Sequence, residues 1–131
     1  MKVQITLNEN QVTVIQSALD LYSRLLMGQF EELDRVFCHY SDYWEKYDNR
    51  KHLNKLCEDI KHIIYPELTG ASYFGVGNKN NPMDSKVAYD IYQVVRHALS
   101  WHKEPQGGYT VNFNTPVRFG KEELCEVNIN K

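Results

Sequence analysis

The chain has few cysteines, and their spacing does not indicate that any two of them form a pair. Its 131 residues include three, Cys38, Cys57 and Cys125, which lie far apart and form no C-x-x-C motif. A disulfide framework is therefore not expected, and such usage is typical of a reducing compartment. The N-terminus lacks the apolar core of a signal peptide, and no apolar run approaches the roughly 18 residues of a membrane span. We expect a cytoplasmic protein that does not enter a membrane.

An excess of basic residues is also missing. Lysine and arginine total 15 against 17 aspartates and glutamates, which gives a net charge of -2. Proteins that bind long nucleic acid through its phosphates usually carry a basic excess, so such a partner is not expected. The length predicts a single domain over residues 1–131. Because a domain of this size leaves much apolar surface exposed, we also expect self-association.

The motifs of metal sites and of nucleophilic catalysis are absent. The histidines, at positions 39, 52, 62, 97 and 102, form neither H-x-H nor H-x-x-x-H nor H-E-x-x-H. No G-x-S-x-G motif occurs, and no serine or cysteine is locally paired with a base in a catalytic motif. We predict no metal, no cofactor and no catalytic residue, and therefore a protein that is not an enzyme.

In the N-terminal third, apolar and polar residues first alternate, and the apolar residues then recur at helical spacing. Apolar and polar residues alternate over Lys2–Leu7, which predicts a half-buried strand. Asn8 and Gln11 then have the spacing of a helix-capping box. From this point apolar residues recur three or four apart as far as Trp44, although Gly28 interrupts them.

Two interpretations of Gly28 fit this pattern. Either a helical hairpin turns at Gly28, or one long helix runs through it. We favour the long helix, because two residues make a short hairpin turn. A helix of that length cannot bury its apolar seam within one small domain, so the region of about residues 9–45 is predicted to join copies of the chain into dimers or assemblies of dimers.

The rest of the chain predicts two more helices and further short strands, which makes the fold class α+β. We expect a small antiparallel sheet, built from N- and C-terminal strands, packed with long helices. In chain order the predicted elements are a bend at Lys46–Lys51, a helix over Leu53–Ile64, a loop at Gly70–Asn81 with a short strand at Ser72–Val76, a helix from Asp84 or Ser85 to the turn at Pro105–Gly108, and strands at Tyr109–Phe113 and Leu124–Ile129.

The predicted helix before Pro105 carries an arginine among aromatic residues. Tyr89, Tyr92 and Arg96 share one helix face at positions i, i+3 and i+7. A guanidinium beside ring faces suits a ligand that has both phosphates and bases. An alternative interpretation makes the tyrosines the edge of the core and pairs Arg96 with Asp90 or Glu104.

The Gly70–Asn81 loop is a second candidate for a ligand-binding segment. Its glycines let the backbone approach a ligand closely, and Phe74 lies where its ring can stack on a base. The amides of Asn78, Asn80 and Asn81 can recognise donor and acceptor edges together. Alternatively, the loop is an ordinary surface turn and Phe74 fills the core.

Two more arginines lie close to predicted element ends. Arg50 precedes the predicted helix over Leu53–Ile64, and Arg118 follows Pro116 after a predicted strand. Each can reach a phosphate, and each can equally be a solvated charge.

The segments YDIYQVVRHALSW, GQFEEL and GGYTVNF resemble a phage family, the first described group of Thoeris anti-defence proteins. The similarity covers residues 19–33 and 70–125. Members of that family bind the cyclic ADP-ribose isomers that bacterial TIR-domain enzymes make, and they sequester this signal without cleaving it. The resemblance therefore implies immune evasion in the host cytosol, an α+β fold and a homo-oligomer built from dimers. Some members also hold cyclic oligonucleotides at a separate site.

The resemblance also implies roles for particular residues. Phe74 is expected to stack on adenine, Asn80 or Asn78 to bind a base or ribose edge, and Arg96 and Arg50 to neutralise the pyrophosphate. Arg24 is the candidate for a second site at a junction between subunits. The predicted ligand-binding residues are thus Phe74, Arg96, Arg50, Asn80, Asn78 and Arg118, with Arg24 at a second site.

Two other functions remain open. A small nucleotide hydrolase or transferase would use His97 or His102 as a base beside a carboxylate such as Asp90. A protein-interaction module would dock through the apolar seam between Val12 and Trp44.

Overall fold

The computed structural model describes residues 1–38 and 47–130. Throughout these residues the regular structure is helical, with no strand and no sheet. The helices are α1 (Glu9–Leu26), α2 (Glu32–Phe37), α3 (Tyr47–Ile64) and α4 (Met83–Lys103), followed by a 3-10 turn at Val111–Phe113. The predicted α+β class is therefore wrong for the described residues, because none of the predicted strands forms.

The predicted strands have the expected alternation of apolar and polar residues, but in the described part of the chain they have no second strand to pair with. Lys2–Leu7 alternates as predicted, but it has no regular structure, and Val3 and Ile5 are 71% and 69% exposed. A strand is stable only when a second strand satisfies its backbone, and the described residues provide none. The predicted strands at Ser72–Val76 and Leu124–Ile129 are irregular for the same reason.

The predicted strand at Tyr109–Phe113 is replaced by the 3-10 turn. The backbone N–H of Phe113 donates to the carbonyl oxygen of Thr110 over 3.1 Å, which closes the turn. The Phe113 ring folds back onto Gly108, where a β-carbon would lie 2.5 Å from its Cε2 atom. A side chain at position 108 would therefore force the Phe113 ring to shift.

The start of α1 confirms the predicted capping box. The backbone N–H of Asn8 donates to Oε1 of Gln11 over 3.0 Å, and the backbone N–H of Gln11 donates to Oδ1 of Asn8 over 2.9 Å. Two N–H groups that the helix leaves without partners are thus satisfied reciprocally.

The end of α1 shows that the long helix is wrong and that Gly28 is a turn. Gly28 has a φ of +89°, its N–H donates to the carbonyl oxygen of Leu25, and the N–H of Gln29 donates to that of Arg24. This pair of bonds is the Schellman motif, which ends helices at a left-handed glycine. The apolar spacing resumes in α2 up to Phe37, whereas Tyr40 and Trp44 lie outside the described residues.

Helices α3 and α4 largely follow the predicted pattern. Helix α3 begins at Tyr47, so Arg50 and Lys51 lie inside it and the predicted bend over 46–51 is wrong where the chain is described. It ends at Ile64, before Pro66, as predicted. Helix α4 begins directly after Pro82 and ends just before the Pro105–Gly108 turn, which confirms the prediction.

The chain folds into two compact units. The terminal unit consists of residues 1–23 and 83–131, and the central unit of residues 24–82. In the terminal unit α1 and α4 are antiparallel, because the Ser23 hydroxyl donates to the carbonyl oxygen of Ser85 over 2.8 Å while Lys103 pairs with Glu9 at the other end over 3.0 Å. A single domain that assembles through residues 9–45 stays a prediction, and residues 39–46 of that seam lie outside the described ranges.

The central unit is organised around a buried lysine. The Lys61 side chain is 1% exposed, and its ammonium donates to the carbonyl oxygens of Gly70 and Ser72 over 2.9 and 3.0 Å and pairs with Glu31. One helical turn earlier, Cys57 is fully buried, and burial raises the pKa of its thiol. Lys61 therefore fixes the first residues of the Gly70–Asn81 loop onto α3.

We expect Gly28→Ala to destabilise the protein by about 2 kcal/mol or more, since an alanine there meets both a left-handed backbone and a steric clash. Its β-carbon would lie 2.6 Å from Cδ1 of Leu68. Gly70→Ala is the matched control, because Gly70 has a φ of +54° but open space around it. Urea unfolding followed by circular dichroism measures both, and equal losses would contradict the role assigned to the clash.

Candidate functional site

A row of three rings and one guanidinium lies along α4 in the terminal unit. The Tyr89 ring packs on Phe119 with centroids 5.6 Å apart and on Tyr92 with centroids 5.8 Å apart. The guanidinium carbon of Arg96 lies 5.0 Å from the centroid of the Tyr92 ring. Helical spacing brings the α4 members together, and the C-terminal segment supplies Phe119. We call these four residues the α4 row.

Asp90 holds Phe119 at one end of this row. Its carboxylate is buried and accepts the backbone N–H of Phe119 over 2.9 Å and that of Gly120 over 2.7 Å. A β-carbon at Gly120 would lie 3.1 Å from Oδ2 of Asp90, so glycine permits this close approach. Charge-assisted bonds from two backbone donors fix the position of the Phe119 ring.

Gln93 secures the same segment one turn further along α4. Its side-chain oxygen accepts the backbone N–H of Val117 over 3.0 Å, while its amide group donates to the carbonyl oxygen of Val117. Gln93 is itself buried and also donates to Asp90 over 3.2 Å. The helix side chains thus satisfy backbone groups of Val117, Phe119 and Gly120, as a neighbouring strand would do in a sheet.

His97 and Trp101 contact the chain a few residues before that segment. Nδ1 of His97 lies 3.3 Å from the carbonyl oxygen of Asn112, and the indole N–H of Trp101 donates to that of Phe113 over 3.3 Å. The Trp101 ring packs edge-on against Phe113 at 5.4 Å. These contacts give His97 a structural partner on its Nδ1 side.

Arg96 has the chemistry of an anion-binding group. Its Nη1 lies 3.4 Å from the Tyr92 hydroxyl, and its Nε is buried without a hydrogen-bond partner among the described residues. Neither Asp90 nor Glu104 forms an ion pair with Arg96 in that part of the chain. The ring of Tyr92 therefore orients a guanidinium whose charge no described carboxylate neutralises.

Arg118 lies at the opposite end of the α4 row. It is exposed, and its two neighbours, Val117 and Phe119, are the residues that Gln93 and Asp90 anchor. Within residues 1–38 and 47–130 it forms no ion pair. Its backbone position is thus fixed while its side chain faces water.

The central unit places Phe74 in its core. Phe74 is 8% exposed, packs edge-on against Tyr65 with centroids 5.4 Å apart, and donates its backbone N–H to the carbonyl oxygen of Met27 over 2.9 Å. This placement corresponds to the alternative interpretation, in which Phe74 fills the core. The exposed ring of the loop belongs to Tyr73, which is 54% exposed.

The loop asparagines have different roles. Oδ1 of Asn78 accepts the backbone N–H of Asn80 over 2.8 Å, which is a local turn, and the Asn80 side chain is exposed. Asn81 is buried and donates its amide to the carbonyl oxygen of Gly75 over 2.7 Å. Its own Oδ1 is buried with no partner among the described residues. Asn81 therefore organises the loop, while Asn80 keeps its amide available.

The two remaining predicted arginines are ion-paired within the central unit. Arg50 donates to Oδ2 of Asp34 from both Nη2 and Nε, over 2.7 and 3.0 Å. Arg24 donates to Oε1 of Gln29 over 2.8 Å and lies 3.7 Å from Glu32. An incoming anion would compete with these carboxylates.

The predicted residues thus fall in both units. Arg96 and Arg118 belong to the terminal unit, and the other five, Arg24, Arg50, Phe74, Asn78 and Asn80, belong to the central unit. Sequence reasoning missed Phe119 as a member of the α4 row. The available signal was Asp90, a carboxylate between the apolar positions Val87, Ile91 and Val94, where a buried acid needs donors.

The described residues contain no group of three or more His, Cys, Asp or Glu side chains arranged to hold a metal ion. No described helix is both long enough and apolar enough to cross a membrane.

We expect Asp90→Ala to destabilise the terminal unit by about 2–4 kcal/mol, because it leaves two backbone donors and the Gln93 amide short of an acceptor. Asp59→Ala, at an exposed carboxylate that pairs with Lys55 on α3, is the control and should cost less than about 1 kcal/mol. Urea unfolding and amide hydrogen exchange measure the change. Unaltered exchange at Phe119 and Gly120 would refute the anchoring role of Asp90.

Comparison of the chain with protein-family models, with curated proteins and with solved structures found no match.

Proposed function

We propose that this protein binds a cyclic ADP-ribose-type nucleotide signal and sequesters it without cleavage, which would block TIR-based anti-phage defence. One observation carries the proposal: Arg96 is held against the Tyr92 ring and has no carboxylate partner among the described residues. The family resemblance of the surrounding α4 sequence supplies the ligand class. We further propose that the protein acts in the cytoplasm as a homo-oligomer and that long nucleic acid is not its partner.

The phosphates of such a ligand fit the unsatisfied donors of Arg96. A buried donor without an acceptor costs about 1–3 kcal/mol, and this cost is removed when a ligand oxygen accepts from it. Nε of Arg96 is such a donor. A guanidinium offers parallel N–H groups that match two phosphate oxygens, and the low dielectric of a half-buried position strengthens the attraction. Arg118 would add a second positive charge at the other end of the α4 row.

The base of the ligand requires an aromatic surface. Stacking of a base on an aromatic side chain is worth about 1–3 kcal/mol. Phe74 remains the predicted stacking ring, although its burial against Tyr65 means that binding must uncover it. Asn80 and Asn78 remain the predicted amides and Arg50 a predicted phosphate ligand, with Arg24 at a second site for cyclic oligonucleotides.

Sequestration fits the terminal unit better than turnover does. A general base needs an orienting partner, and the hydrolase hypothesis assigned that part to a carboxylate such as Asp90, with His97 or His102 as the base. The Asp90 carboxylate instead accepts the backbone donors of Phe119 and Gly120. Nδ1 of His97 faces the carbonyl oxygen of Asn112. Both groups therefore have structural partners, which favours binding over catalysis.

Arg96→Ala should weaken the binding of a purified cyclic ADP-ribose isomer about 10- to 150-fold, because a hydrogen bond to a charged group is worth about 1.5–3 kcal/mol. Calorimetric titration measures the affinity, and circular dichroism confirms that the helices persist. Arg35→Ala is the matched control, since Arg35 is an exposed arginine on α2 that pairs with Glu32.

Mass spectrometry of the ligand after heat release completes the test. We expect the released nucleotide to have its original mass. Recovery of a cleaved product would replace sequestration by hydrolysis. If the wild-type protein binds no cyclic ADP-ribose isomer at all, the proposed function is wrong.

A further inference from the structure

The N-terminal segment Lys2–Leu7, which we call the arm, leaves its apolar side chains in water. Val3 and Ile5 are 71% and 69% exposed, and Leu7 is 36% exposed. These three residues alternate with the polar residues Lys2, Gln4 and Thr6, so in an extended chain they share one face. A face of this kind is normally covered in a folded protein.

The backbone of the arm is equally unsatisfied. Among the described residues, no hydrogen bond is made by a backbone N–H or C=O group of residues 2–7. Both the pattern and the backbone are those of a strand, yet the described part of the chain contains no second strand. A row of unpaired donors and acceptors is a template for pairing with another chain.

We propose that the arm pairs with the arm of a second copy of this chain, as an antiparallel two-stranded ribbon across a two-fold axis at Ile5. In this register Ile5 lies opposite Ile5 of the other copy, and Val3 lies opposite its Leu7. All six apolar side chains then share one face, and the polar residues share the other. A register shifted by one residue would place Ile5 against Gln4 or Thr6 and mix the two faces.

The axis at Ile5 is preferred to one at Gln4 for a second reason. Centring the ribbon on Gln4 also keeps apolar residues together, but it places Leu7 opposite Met1. Val3, which the axis at Ile5 sets opposite Leu7 instead, is β-branched and has the higher strand propensity. Centring on Ile5 uses residues 3–7 alone and sets Lys2 opposite Asn8, so no like charges meet.

The terminal unit also provides a cover for the apolar face. A two-stranded ribbon on its own is only marginally stable in water. Leu7 lines an open apolar groove at the start of α1, together with Asn10, Gln11, Val14 and Ile15. Val14 is 67% exposed and Ile15 37%. Because Val3 of the second copy lies opposite Leu7, each groove receives the arm of the other copy.

This interface shares only the start of α1 with the helical seam over residues 9–45, and it does not depend on ligand binding. It uses the arm and the first turns of α1 in the terminal unit. It also explains why a segment with strand sequence carries no structure in a single chain: its partner is the same segment on another chain.

Disulfide cross-linking tests the register directly. In a Cys38→Ser, Cys125→Ser background, which leaves only the fully buried Cys57, Ile5→Cys is compared with Gln4→Cys. Opposite β-carbons in an antiparallel pair are about 4.5–5.5 Å apart, which a disulfide can span after small adjustment, whereas the two Gln4 positions are diagonal neighbours about 7–8 Å apart. We expect covalent dimer to form at least about 10-fold faster with Ile5→Cys. Equal rates, or faster cross-linking of Gln4→Cys, would overturn the proposal.

A second measurement uses substitutions that leave the helices untouched. Ile5→Lys should raise the dimer dissociation constant at least about 10-fold over that of Gln4→Lys, because only the first places a charge in the apolar face. Light scattering at a series of concentrations measures the constant, and circular dichroism checks that helicity is kept. A wild-type protein that is monomeric at about 100 μM, or two variants with equal constants, would show that the arms do not pair.

Discussion

The carboxylate of Asp90 and the amide of Gln93 hold the terminal unit together where a sheet was expected. A backbone that leaves water needs partners for its N–H and C=O groups. In residues 117–120 those partners are two buried side chains of α4, which bond Val117, Phe119 and Gly120. The segment therefore packs on a helix without pairing with a strand. Among residues 1–38 and 47–130, no side chain bonds the backbone of the arm in this way.

Features that depend on neighbours in sequence were predictable. The Asn8–Gln11 capping box, the end of α3 before Pro66 and the bounds of α4 each follow from residues within one or two helical turns. The choice at Gly28 was not settled by spacing, because the apolar period continues past it. It is settled by a left-handed backbone at Gly28 and by Leu68, which leaves no room for a β-carbon there. The sheet was predicted wrongly because alternation shows that a segment can be extended but not that a partner strand exists.

In the candidate site, too, contacts between residues close in sequence were predictable and contacts between distant residues were not. The contact of Arg96 with Tyr92 was predictable, since positions four apart on a helix meet. Phe119 joins the α4 row through contacts with Asp90, 29 residues earlier, and with Tyr89, and no local pattern reports such contacts. Phe74 and Tyr73 are adjacent and both aromatic, so the sequence of a glycine-rich loop could not decide which ring is buried. The contact with Tyr65 decides it in favour of Phe74.

The ion pairs rank the predicted arginines by their capacity to bind an anion. An anion that approaches Arg50 must displace the two-point contact with Asp34, and one that approaches Arg24 must compete with Glu32. Each displacement returns a carboxylate to water and cancels part of the attraction. Arg96 and Arg118 have no described carboxylate to displace, so their full charge is available to a ligand. For this reason Arg96 and Arg118 are the stronger candidates for binding an anion, and Arg24 and Arg50 are the weaker ones.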